Sequence, residues 1–303
     1  MDAYGISLAL SSPFVPPKSG FQYVMFRVWT PQTNSLLFKR FGPTVKLVYE
    51  RRNPKALCCN RDLRDCPVVS GSSMDEVYDR LAAETIASAS LMSNSHSKFI
   101  VGLAGPPGAG KSTIASEVVK RVNNLWPQDM PENDSEVAVV LPMDGFHLYR
   151  SQLDAMEDPA EAHARRGAPW TFAPHLLLQC LKKLREENSV YAPSFSHGIG
   201  DPIEDDIFVS HHHKVVIVEG NYLLLDDDNW REISTMFDQR WYVDVDIEAA
   251  MQRVLRRHIA TGKAADVAKW RIGYNDRPNA QLIANSVRNA DLLIRSIHSK
   301  PRL

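Results

Sequence analysis

The chain has 303 residues, with 35 Lys and Arg against 36 Asp and Glu and a formal net charge of −1. That length suits one large domain or two small ones. The near-neutral balance gives no bulk electrostatic ground for nucleic-acid or membrane binding, and no uninterrupted apolar stretch approaches the roughly 20 residues needed to span a bilayer.

Residues 1–65 differ from the rest. Ten Lys and Arg face only Asp2, Glu50, Asp62 and Asp65, among scattered prolines, serines and aromatics. An acid-poor, basic, serine-containing leader has the composition of a transit peptide and lacks the compact apolar core of a secretory signal. The expected destination is a chloroplast or mitochondrion, or else the cytoplasm if the segment is an extension packed on the core. Within it only residues 44–49 alternate as a strand does. The expected organisation is an N-terminal extension over 1–72 and a folded domain over 73–303. The four cysteines, Cys58, Cys59, Cys66 and Cys180, read as reduced thiols rather than a disulfide framework.

From Ser73 the pattern becomes regular. Ser72 or Ser73 caps an amphipathic helix, with Glu76 three residues beyond Ser73, that runs to about residues 93–95. Strands are expected at 98–104, 136–141, 214–218, 240–245 and 291–295. Helices are expected at 113–126, around 153–165, at 174–187 and at 248–261. Such alternation implies an α/β fold, a parallel sheet covered by helices on both faces.

Four clusters carry chemistry. After the first core strand comes Gly105-Pro106-Pro107-Gly108-Ala109-Gly110-Lys111-Ser112, followed by Thr113, which satisfies the phosphate-loop pattern G-x-x-x-x-G-K-[ST] between strand and helix. Its glycines turn backbone N–H groups inward, Lys111 meets the β/γ-phosphates, and Ser112 offers a hydroxyl to Mg²⁺. Second, Asp144, in Asp144-Gly145-Phe146-His147, ends an apolar strand. A carboxylate there is a base for a substrate hydroxyl or a water-mediated Mg²⁺ ligand, while Asp-Gly is equally a common turn. Third, Glu219 closes the run Val215-Val216-Ile217-Val218, where nucleotide-bound Mg²⁺ would lie. Fourth, Arg253 and Arg257 share one helix face and could close over a transferring phosphoryl group, or simply form a solvated basic face. His211-His212-His213 cannot converge on one ion from a strand and reads as an exposed turn.

These clusters in this order resemble the phosphoribulokinase/uridine kinase superfamily of P-loop kinases over residues 98–297. The resemblance implies a P-loop kinase-type sheet with a helical lid, and ATP and Mg²⁺ as cofactors. The acceptor would be a small-molecule hydroxyl, with no nucleic-acid or membrane partner, and the assembly a homodimer. It implies Asp144 as base, Lys111, Arg253 and Arg257 as catalytic cations, and Ser112, Glu219 and Asp144 at the metal. The stretch 274–279 resembles the loop flanking adenine, which would place Asn275 and Pro278 at the nucleotide. It reads equally as a polar turn before a helix that begins at Pro278.

The Asp-Gly-Phe-His form, residues 165–172, residues 193–197 and Asp201-Pro202 resemble a branch near bacterial pantothenate kinase and nucleoside or sugar kinases. In that branch these segments line the acceptor pocket, so His147, Arg166, His197, Asp201 and Tyr222 are its substrate candidates here. Uridine kinase usually has an Asp-Ser-Phe-Tyr form, which this chain lacks. The rival classes are a nucleotide-driven ATPase or regulator acting on a protein partner. A GTPase would need an Asn-Lys-x-Asp base-reading motif, and none occurs.

Overall fold

The computed structural model describes residues 24–30, 33–39, 66–92, 98–126, 136–196 and 198–295. It contains two compact units, Met1–Cys59 and Asn60–Leu303. In the first, β1 (Val24–Thr30) pairs antiparallel with β2 (Thr33–Lys39), in register from Val24↔Lys39 to Thr30↔Thr33. This hairpin was not legible as alternation because apolar residues fall at both parities of each strand, although the β-branched and aromatic content suits it. The strand expected at 44–49 lies outside the described residues.

The second unit is built on six parallel strands: β3 (Val68–Val69), β4 (Phe99–Ala104), β5 (Ala138–Pro142), β8 (Val215–Gly220), β9 (Gln239–Asp244) and β10 (Leu292–Arg295). They lie in the order β3-β10-β9-β4-β8-β5. Every residue of β4 and β8 is buried, as strands covered on both faces require. The pleat divides them by parity. Ile100, Ala104, Val216 and Val218 pack with Leu177 and Leu181 of α5 (Pro174–Glu187) and Trp230 of α6 (Asp228–Thr235). Val101, Leu103 and Ile217 pack with Val77 and Leu81 of α1 (Met74–Ser90) and with Ile114 and Val118 of α2 (Lys111–Leu125).

Ser73 is the N-cap of α1, accepting from the Glu76 N–H at 3.2 Å, while Glu76 accepts from the Ser72 N–H. The expected division at 72/73 falls too late: β3 belongs to the sheet, Leu293 N donates to Pro67 O at 2.8 Å, and Cys66 Sγ lies against Ala290 O. Cys66 and Cys180 are buried.

Three departures from the expected elements shape the site. The helix expected around 153–165 is two short ones, α3 (Arg150–Asp154) and α4 (Pro159–Ala164), because Asp158 caps a new start and Pro159 takes its first turn. Residues 190–196 and 201–209, where no strand was expected, form an antiparallel hairpin of β6 (Val190–Ser196) and β7 (Asp201–Val209) with its irregularity at Pro193. The adenine-flanking loop expected at 274–279 is helical. After α7 (Ile247–Ala260) and α8 (Ala265–Arg271) the chain takes a π-turn (Ile272–Asp276), with Arg277 N bonded to Ile272 O, straight into α9 (Arg277–Ala284). Pro278 sits in the first turn of α9, the place that the alternative reading of this stretch gave it.

Candidate active site

The phosphate loop follows directly from β4. Gly108 (φ +80°) and Gly110 (φ +92°) are left-handed, a conformation that glycine adopts freely. Gly108 also has no room for a side chain, since a Cβ there would stand 2.4 Å from Ala250 O of α7. Pro106, Pro107 and Ala109 are buried walls of the loop, while Gly110, Ser112 and Thr113 are exposed at the start of α2. The glycine at 108 therefore lets the loop pack against the lid helix, and Arg253 Nη1 of that helix donates to Gly108 O at 3.2 Å.

Lys111 is 8% exposed. Its ammonium donates to Gly105 O (2.9 Å), Pro106 O (3.2 Å) and Asn221 Oδ1 (2.7 Å). Burial pulls its pKa down, the carboxylates of Glu219 and Asp144 pull it back up, and Arg257 again lowers it. Those couplings bring three distant stretches of chain to one charge. Ser112 Oγ donates to Glu219 Oε1 at 3.0 Å, and Glu219 is itself 8% exposed at the tip of β8. Pro142 at the end of β5 is in register with Glu219, so Asp144, two residues on, emerges beside it at the C-terminal edge of the sheet. Ligands of open α/β sheets bind at that edge.

Asp144 lies in a 3₁₀ turn (Met143–Phe146) whose next residue, His147, directs Nδ1 to the Asp144 carbonyl at 2.8 Å. The His147 ring packs on Phe172 and Phe195 at centroid distances of 3.9 and 4.7 Å. Beyond it, Arg166 donates to Leu148 O (2.9 Å) and Asp201 Oδ1 (3.0 Å), with its guanidinium over the Phe195 ring. Asp201 also accepts from the Arg150 N–H at 2.8 Å. Its carboxylate is thus held on two protein donors and orients Arg166. Gly145 admits no side chain either, because a Cβ there would stand 2.0 Å from Pro193 O. That approach brings β6 against the Asp144 turn.

Lys111, Ser112, Glu219, Asp144, Arg253 and Arg257 are therefore assembled together, with His147, Arg166 and Asp201 forming an adjoining wall. Tyr222 is not open to a ligand: it is fully buried against Phe172 and Trp230, and its hydroxyl donates to Gly167 O. Asn275, expected at the nucleotide, instead donates to Arg166 O at 3.0 Å from the inner face of the π-turn. His197 lies outside the described residues. His211 and His212 are exposed in a turn closed by His213 N and Ser210 O. Sequence reasoning passed over Asn221, whose only signal was its place two residues after the strand-tip acid, and Arg271, whose partner is a backbone carbonyl.

The sequence profile of the phosphoribulokinase/uridine kinase family matches residues 100–300. A Schizosaccharomyces pombe protein provisionally named a uridine kinase is 36% identical over 241 residues, covering 78% of this chain and 95% of its own. The Escherichia coli protein YggC, whose name gives no function, is 32% identical over 203 residues, covering 66% and 79%. Among solved structures, a Silicibacter sp. TM1040 protein provisionally named a fructose transport system kinase superposes with a TM-score of 0.61 at 30% identity, covering 70% of this chain and 98% of its own. YFH7 of Saccharomyces cerevisiae shares the fold, with a TM-score of 0.60 at 24% identity over 73% of this chain and 99% of its own. The chain belongs to the phosphoribulokinase/uridine kinase family and is an ATP-dependent P-loop kinase.

Proposed function

We propose that the protein transfers the γ-phosphoryl group of ATP to a hydroxyl of a small polar metabolite, with Asp144 as general base. The observation that carries this reading is the emergence of Asp144 beside the Lys111–Ser112–Glu219 group, with the wall of His147, Phe195, Arg166 and Asp201 on its far side. The acceptor oxygen bonds to the γ-phosphorus, its proton passes to the Asp144 carboxylate, and the bond to the β-phosphate oxygen breaks to release ADP. The protein's part is positioning and charge stabilisation. Lys111 leaves its loop carbonyls for phosphate oxygens, and Arg253 and Arg257 approach from the lid to offset the spread charge.

Mg²⁺ suits the donors present. Ser112 Oγ and a Glu219 oxygen are hard ligands 3.0 Å apart, and Mg²⁺ takes one or two protein oxygens while keeping water and phosphate oxygens. Ser112 and Glu219 would hold it, with Asp144 reached through water, and the ion would neutralise the phosphate chain. Two relatives carry names that point to different acceptors, a nucleoside and a hexose; the chemistry common to them is a hydroxyl on a small polar compound. The test is ADP production with and without pantothenate, nucleosides, hexoses, pentoses and glycerate, followed by mass spectrometry of the product. Stimulation by one class with a phosphorylated product supports the reading. Stimulation only by a protein partner overturns it in favour of a nucleotide-driven regulator.

A further inference from the structure

Three buried polar side chains, Asn275, Asp276 and Asn279, lie within five residues at the π-turn and the start of α9, at 2%, 9% and 4% exposure. Buried polar groups on one short stretch need partners, and π-turns inside α-helices concentrate at functional sites. Their partners are specific. Asn275 Nδ2 donates to Arg166 O at 3.0 Å, and Arg271 Nη2 donates to the same carbonyl at 3.2 Å. Asn279 Nδ2 donates to Asn275 Oδ1 at 3.0 Å and lies 3.4 Å from Gly167 O, which also receives the Tyr222 hydroxyl. A carbonyl oxygen has two lone pairs, so both carbonyls of residues 166–167 are saturated by side chains. Gly167 is left-handed (φ +102°), so the segment turns sharply at the point where it is gripped. From the other side of the turn Asp276 pairs with His258 of α7 at 2.9 Å.

We propose that Asn275 is a positioning residue for the phosphoryl acceptor: from the π-turn it holds the backbone of Arg166, and so sets where the Arg166 guanidinium stands in the acceptor wall. The proposal rests on the reading that Arg166 lines the acceptor pocket. Asn275 commits its oxygen to Asn279 and an N–H to Arg166 O, both inside the protein, and neither is directed at the phosphate loop. Arg166 in turn has its side chain fixed by Leu148 O and Asp201, so a fixed backbone completes a fixed guanidinium. Because Asp276 on the same turn is anchored to α7, the acceptor wall and the lid share one support.

The test uses the full chain carrying Asn275→Ala, Arg271→Gln, both together, and Gln239→Ala as a buried polar deletion remote from this segment. Affinity for the magnesium complex of a nonhydrolysable ATP analogue, AMP-PNP, is measured by calorimetry, and deuterium uptake by mass spectrometry over residues 163–173. KM values for ATP and for the acceptor identified by the compound panel complete the set. Both single variants should keep AMP-PNP affinity within two-fold, exchange at residues 166–168 at least ten-fold faster, and raise the acceptor KM at least ten-fold with little change in kcat or the ATP KM. The double variant should be less than additive, since the two donors share one acceptor. Gln239→Ala should lower stability without that split. A ten-fold loss of AMP-PNP affinity with unchanged uptake would return Asn275 to the nucleotide, and a lowered melting temperature with no KM split would leave it merely structural. Either result overturns the proposal. If no compound in the panel is an acceptor, the proposed function fails, while uptake and AMP-PNP affinity still decide whether Asn275 anchors Arg166.

Discussion

The Lys111 ammonium donates to the Asn221 carboxamide oxygen at 2.7 Å, joining the phosphate loop to the residue just beyond β8. Gly105 O and Pro106 O take up its other directions, so the cation is held by three acceptors and kept out of bulk water. Replacing Lys111 with Met removes the cation that the phosphate chain meets, and turnover should fall on the order of 10²–10³-fold. Asn221→Ala leaves Lys111 with the loop carbonyls alone. Loss of one charge-assisted hydrogen bond, at about 1.5 kcal/mol, corresponds to roughly a ten-fold drop in ADP release. Steady-state ADP production by both variants, with circular dichroism as the folding control, checks these values. Wild-type turnover in either would remove that residue from the phosphate site.

Gly145 is a second point where backbone meets backbone. Its missing Cβ would stand 2.0 Å from Pro193 O, closer than any real contact, and both partners are main chain. Gly145→Ala must therefore push the β6/β7 hairpin off the Asp144 turn. Overpacking of this kind costs about 1–3 kcal/mol, and in a unit of this size each kcal/mol lowers Tm by roughly 2–4 °C. Scanning calorimetry reads the shift, and the acceptor-stimulated rate should fall more than intrinsic ATP hydrolysis does. An unchanged Tm would mean that the hairpin is not seated there.

The sheet and its strand-tip chemistry were legible because parallel strands covered on both faces read as apolar runs, and β4 and β8 do so without a break. Lys111 and Ser112 were legible from the glycine pattern between β4 and α2, and Asp144 and Glu219 from their places just past or at the end of an apolar run. The β6/β7 hairpin was not, since Pro193 and Pro202 within strands mimic loop composition; in a two-stranded ladder both strands are edges, and Pro193 falls at its irregularity. The helical state of residues 272–276 was hidden by Gly273 and Asn275, helix-poor residues on local propensity, whereas Pro278 did mark the start of the next helix. The burial of Asn275 and its bond to Arg166 O override that propensity.

The turn after β7 gives a pH dependence. His213 Nδ1 accepts from the Ser210 N–H at 2.9 Å, which requires an unprotonated nitrogen. Burial first, then the neighbouring charges of Lys98 and His212, lower its pKa from 6.5 to about 4. Between those values the unfolded chain binds the proton more strongly than the folded one, so stability rises with pH through that window and is lost as pH falls from 6.5 toward 4. Urea midpoints at pH 4.5 and 7.0 should therefore differ more for the wild type than for His213→Ala. Equal differences would show that other groups carry the acid sensitivity.

The position of β3 sets how much of the N-terminal region can be removed. A chain beginning at Asn60 keeps the Leu293 N–Pro67 O bond, the β3–β10 pairing and the Cys66 contact with Ala290. One beginning at Ser73 loses all three and exposes the edge of β10. The first should bind AMP-PNP with full-chain affinity and melt near the full-chain Tm, and the second should melt several degrees lower. We propose that the basic segment ahead of Asn60 directs import, and its fusion to a fluorescent protein tests this. Fluorescence that stays in the cytosol defeats that proposal without touching the truncation result.

Asp144 and Glu219 are both carboxylates at the C-terminal edge of the sheet, yet their surroundings differ. Glu219 is 8% exposed and bonded to Ser112 Oγ, within the phosphate loop's reach. Asp144 stands one strand farther out, beside His147 and the Arg166 wall, where an acceptor hydroxyl would come. A base matters only when the acceptor proton moves, so Asp144→Asn should depress acceptor-dependent kcat by about 10²–10⁴-fold while AMP-PNP affinity stays within a few-fold. Glu219→Gln removes a charged oxygen from the proposed Mg²⁺ position, so both nucleotide affinity and turnover should fall, with partial recovery at higher Mg²⁺ concentration. Calorimetry with AMP-PNP across a Mg²⁺ series separates the two. Nucleotide binding lost in Asp144→Asn and kept in Glu219→Gln would exchange their roles, making Asp144 the metal residue and leaving the acceptor proton to another group.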